Sequence, residues 1–164
     1  YIYLAFAADN GASPLVSGTS GTFVVTPGKI GQAIKFDGSI ASTTVGSVSS
    51  TVKTVAFWVK PNSTTAQSIM DLDGASANIK LVSGTVTANG FTSPTIYVDG
   101  AVTSTLNNKN WHHVVVTTAT AVNASSVSLG AASSAYFSGT LDDLRMYNRA
   151  LSASDVTRLY GLGN

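Results

Sequence analysis

Short apolar runs rich in Val, Ile, Thr and aromatic residues recur along this chain about every eight to twelve residues, with turn-forming residues between them. Such spacing predicts an all-β sandwich or barrel. Strands are expected over 21–26, 32–36, 53–60, 68–72, 79–83, 111–118 and 137–147. Five Asn-Gly or Asp-Gly pairs punctuate the pattern, starting at Asn10, Asp37, Asp73, Asn89 and Asp99. These pairs tolerate the positive φ angles of tight hairpins. The clearest hairpin joins 95–98 to 101–106 through Asp99-Gly100. The apolar run 1–7 is too short to span a bilayer and lacks a preceding basic region, so it is expected to be a first strand rather than a leader.

Helical signals gather only near the end. Ser152 suits an N-cap, Asp155 follows three residues later as in a capping box, Leu151 is placed to staple against Val156, and Gly161 supplies a stop. This predicts one short helix that needs the sheets to pack against. With 164 residues and neither linker nor long repeat, the chain fits a single domain over 1–164.

Composition narrows the partners. Charged residues make up only 10% and the net charge is +1, without the basic excess of a phosphate-backbone binder. Neither nucleic acid nor membrane insertion is expected. Serine and threonine supply about a quarter of the chain, which points to an extracellular or cell-surface location. Cysteine is absent, so no disulfide or thiolate metal site is available.

Four ordered stretches carry a family resemblance. They are the run from Gly28 to Gly38 (Gly-Lys-Ile-Gly-Gln-Ala-Ile-Lys-Phe-Asp-Gly), and Val55-Ala56-Phe57-Trp58-Val59-Lys60-Pro61. Then come Ile96 to Gly100 with Asn110-Trp111-His112-His113-Val114, and lastly the run from Gly139 to Ser152. As a set they resemble the laminin-G-like, concanavalin-A-like sandwich family of bacterial secreted proteins. The resemblance implies a jelly-roll of two antiparallel sheets with first and last strands adjacent. It also implies a glycan- or protein-binding, accessory or structural role, because fold alone does not fix function.

Candidate chemistry is sparse. Paired-carboxylate hydrolysis needs two acids facing one cleft, yet glutamate is absent and Asp142 and Asp143 are adjacent on a strand, which predicts opposite faces. Strand alternation likewise separates His112 from His113, so they are expected to be structural rather than co-ligands. Asp143 and Arg145 share a face and are expected to form a structural clamp with Arg149, which would reach the same aspartate or nearby carbonyls. The resemblance implies a structural calcium ion between Asp9 and Asp142, oxygen ligands such an ion requires. A pentraxin-like calcium lectin loop is not implied, since the matching 129–135 stretch carries no acid. For sugar stacking, Phe91, Tyr97 and Tyr136 are the expected exposed aromatics, aided by Asn89, Asn107 and Asn108, while Trp58 and Trp111 are expected in the core.

Two functions follow. Low charge lowers repulsion between copies, which favours a non-catalytic, self-associating surface-layer or filament subunit. The alternative is a carbohydrate-binding or adhesive lectin-like module whose partner is an extracellular glycan or protein.

Overall fold

The structure, a computed structural model, describes residues 2–4, 19–20, 24–74, 76–106, 108–132 and 135–164. Its strands are β1 (Ile2–Leu4), β2 (Thr19–Ser20), β3 (Val24–Pro27), β4 (Gln32–Asp37), β5 (Ser42–Gly46), β6 (Ser49–Pro61), β7 (Gln67–Asp71) and β8 (Asn78–Val82). They continue with β9 (Thr85–Asn89), β10 (Thr95–Val98), β11 (Ala101–Val102), β12 (His112–Ala124), β13 (Val127–Leu129), β14 (Ala131–Ala132), β15 (Ala135–Tyr136) and β16 (Ser138–Tyr147). One helix, α1 (Ala153–Gly161), follows.

These form a two-sheet antiparallel jelly-roll sandwich. The larger sheet runs β11-β10-β12-β6-β16-β4-β3, and the smaller runs β2-β5-β13-β7-β8-β9. One edge of β16 is shared: β4 pairs with its Ser138–Leu141 half and β1 with Leu144–Met146. The first and last strands are therefore neighbours. No helix among the described residues is long and apolar enough to cross a membrane.

Alternation builds the core. On β6, Val55, Phe57 and Val59 point between the sheets, while Ala56 joins a separate cluster outside. The inward side chains meet Ile34, Phe36, Val114, Val116 and Leu141 of the same sheet and Ile69, Ile79, Leu81 and Leu129 of the other. Each such side chain contributes about 1.5–3 kcal/mol by leaving water. On the outer face Ala56, Tyr97 and Val115 pack under Leu151 and Val156 at the helix. The predicted capping box is present: Ser152 Oγ accepts from Asp155 N at 3.2 Å and Asp155 Oδ2 from Ser152 N at 3.1 Å.

The turn residues divide in their roles. Asp99-Gly100 has φ +53° and +82° and closes the expected β10–β11 hairpin. Ser83-Gly84, with φ +49° and +77°, closes a second hairpin between β8 and β9 that the sequence pattern did not single out. Asp37-Gly38 and Asp73-Gly74 are not tight hairpins. Instead Asp37 Oδ1 accepts the N–H groups of Ser39, Ile40 and Ala41 at 2.8, 3.2 and 3.0 Å as the chain passes from one sheet to the other. Those backbone donors lower its carboxyl pKa to about 2. Asn10 lies outside the described residues.

Candidate functional site on the outer face of the large sheet

The outer face of the large sheet carries a cluster of buried charged and aromatic residues, beginning at a bulge in β16. Asp142 is opposite Trp58 and Arg145 opposite Ala56, so β16 carries one more residue than β6 across this interval. Asp143 takes the left-handed conformation at φ +47°, as bulges allow. The extra residue cancels the expected alternation. Asp142 shares the outer side with Trp58, its register partner, and Asp143 reaches back to Arg145 on that side, with Arg145 Nε donating to both carboxylate oxygens at 3.0 Å. The two acids are 2% and 5% exposed, so they face buried partners rather than a cleft.

Asp142 accepts the Ile30 N–H at 2.7 Å, which pins the β3–β4 turn against β16. Burial raises its carboxyl pKa despite that bond. Asp9, the other residue of the implied calcium site, lies outside the described residues. Among the described residues no cluster of three or more His, Asp or Glu side chains is placed to hold a metal ion. Arg149 does not join the Asp143–Arg145 pair. Its Nη1 donates to Asp155 Oδ2 at 2.8 Å, because the chain has already turned into the helix and the capping acid is the nearer partner.

The histidines occupy opposite faces. His112 faces inward, with Nδ1 2.7 Å from Asp99 Oδ2 and Nε2 3.1 Å from Asn108 Oδ1. His113 faces outward in an aromatic stack, its ring centroid 5.1 Å from that of Trp58 and 6.2 Å from that of Tyr160. Trp58 Nε1 and His113 Nδ1 are both buried without a hydrogen-bond partner. Burial lowers the His113 pKa to about 4, with Asp99 opposing and Arg145 reinforcing the shift. Lys29 Nζ stands 5.0 Å from the Trp58 ring centroid on the same side.

The aromatics expected to meet a ligand do not form one platform. Tyr97 is 8% exposed beneath the helix, since its outward position on β10 is the one that α1 covers. Phe91 is half-buried against the inter-sheet core, and Tyr136 is half-buried on the small β14–β15 ribbon. Asn89 donates to Asn78 at 2.9 Å, Asn108 is engaged by His112, and Asn107 lies outside the described residues.

Trp111, by contrast, is not in the core. It precedes β12, is half-buried, and lines a hollow of about 200 Å³ on the outer face. The floor is a register row: Lys35 of β4 opposes Thr140 of β16, which opposes Lys60 of β6. Thr26 and Pro27 of β3 close one side. Asn62 lies on another, its Nδ2 donating to Ser138 Oγ at 3.1 Å. Lys35, Lys60 and Asn62 are exposed. The helix and the C-terminal residues cover the neighbouring half of this face, Gly163 lying against Trp58. Among the described residues, the hollow is the half left open. Sequence spacing could not find it, because its lining comes from distant segments that only strand pairing brings together.

No family model and no curated protein matches the chain. Solved structures do match. Domain 4 of AbnA, a GH43 extracellular arabinanase from Geobacillus stearothermophilus, solved in complex with arabinotriose, aligns over 96% of both chains at 20% identity and TM-score 0.66. The binding domain of Paraclostridial Mosquitocidal Protein 1 aligns over 87% of this chain and 46% of its own at 15% identity and TM-score 0.60. The binding domain of Botulinum neurotoxin DC, in complex with rat synaptotagmin II, aligns over 91% and 47% at 10% identity and TM-score 0.60. The chain spans about half the length of these two toxin domains. At such identities the likeness is one of fold.

Proposed function

We propose that this chain is a non-catalytic, extracellular binding module that takes a saccharide into the Trp111 hollow. The observation that carries this reading is a half-buried tryptophan beside a polar floor left uncovered by the helix. Carbohydrate sites combine these features: the apolar face of a sugar ring packs on an indole, while amide, hydroxyl and ammonium groups bond its hydroxyls. Asn62 and Thr140 supply the amide and a hydroxyl here. Among the described residues the lining contributes no carboxylate, whereas sugar-bond hydrolysis by the common route needs two. The arabinotriose held by the arabinanase domain supports the same reading through shared architecture.

The self-associating subunit expected from low charge gains nothing from these comparisons, so the binding module is preferred. A glycan array followed by titration calorimetry tests it. At least one oligosaccharide is expected to bind, and Trp111→Ala to weaken that binding about tenfold or more while the fold persists by circular dichroism. Unchanged affinity in Trp111→Ala would remove the hollow from consideration.

A further inference from the structure

We infer that the Trp111 hollow selects acidic saccharides, sugars that carry a carboxylate or sulfate; the inference rests on the binding-module reading above and specifies its ligand. Lys35 and Lys60 flank Thr140 on the strands either side of β16. Two strand spacings set their backbones about 10 Å apart, close to the length of a disaccharide. Both side chains are exposed, and neither is in an ion pair among the described residues, whose salt bridges are His112–Asp99, Arg145–Asp143 and Arg149–Asp155.

Neither nearby acid lines the hollow or is ion-paired to its lysines. Asp37 is one outward position further along β4 and spends Oδ1 on three backbone N–H groups. Asp142, one outward position away on β16, is buried and bonds Ile30. Among the described residues, the lining of the hollow presents two ammonium groups and no carboxylate. In a chain whose net charge is only +1, this is a local positive field and not a reflection of overall basicity. A neutral sugar offers these ammonium groups only hydroxyl acceptors; an acidic one adds a charge-assisted bond, which is the stronger kind.

The test is calorimetric titration of the intact chain with three probes. They are a galacturonic-acid tetrasaccharide, a sulfated galactan tetrasaccharide and a neutral galactan tetrasaccharide, each at low and at moderate salt. At least one acidic probe is expected to bind tenfold or more tightly than the neutral one, and which of the two does so tells carboxylate from sulfate. Lys35→Gln and Lys60→Gln should each cost that probe about five- to tenfold. Lys80→Gln, on β8 of the other sheet, should leave it unchanged. If the neutral probe binds as well as the acidic ones and only Trp111→Ala matters, the acidic preference is wrong and the binding module stands. If Lys80→Gln costs as much as the other two, the attraction is diffuse charge and the site is wrong. If no array saccharide or probe binds, both readings fall.

Discussion

At the scale of single residues, the outer face holds an imidazole that stays neutral because it is dry. The ordinary pKa of His113 is 6.5 and burial lowers it to about 4. Between those values the unfolded chain takes up a proton that the folded chain refuses, so stability falls as pH drops from 6.5 to about 4 and this contribution levels off below. The full difference is about 3 kcal/mol. His113→Phe keeps a ring against Trp58 and Tyr160 while removing the proton site. Urea denaturation between pH 7 and 4 should therefore show a shallower acid loss in the variant than in the parent, and equal slopes would refute the assignment. Asp142 acts with the opposite sign: its raised pKa means that stability is lost as pH climbs from 3.8 through the folded value. The opposite orientations of His112 and His113 were legible from alternation alone. The shared side of Asp142 and Asp143 was not, because a bulge depends on the partner strand's register, and no residue spacing within β16 announces it.

At the scale of elements, legibility followed locality. The helix was readable because its cap, acid and staple lie within six residues of one another, at Leu151, Ser152, Asp155 and Val156. Removing the capping hydroxyl with Ser152→Ala should cost about 1 kcal/mol, measured as a lower urea midpoint with an unchanged slope. A cost near zero would mean that the Arg149–Asp155 pair alone anchors this end. Strands β6, β12 and β16 were likewise clear, since runs such as Val114-Val115-Val116 have no other stable use here. The strands Ser42–Gly46, Thr85–Asn89 and Val127–Leu129 went unseen. The first two are built largely of small polar residues and the third is only three residues long, so their strand character comes from the neighbours they pair with. The same holds for the turns. Only Asp99-Gly100, among the four described Asn-Gly and Asp-Gly pairs, closes a two-residue hairpin; Asp37 and Asp73 instead spend their carboxylates on holding wider loops.

At the scale of the whole molecule, the sandwich class followed from strand spacing, and the adjacency of first and last strands from the family resemblance. The location of the hollow followed from neither. It depends on β6 lying between β12 and β16, and on α1 covering one half of the outer face but not the other. That division also places the chain's two indoles in different media. Trp58 is 1% exposed in a stack with an imidazole and a phenol, and its Nε1 lacks an acceptor, whereas Trp111 is half-buried beside the hollow. Trp58 should fluoresce at short wavelength and resist acrylamide, while Trp111 should emit further to the red and be quenched. A sugar in the hollow then shifts only the red component, and Trp111→Phe leaves a spectrum that is blind to ligand yet still reports unfolding. One sheet face thus provides separate optical channels for occupancy and for integrity.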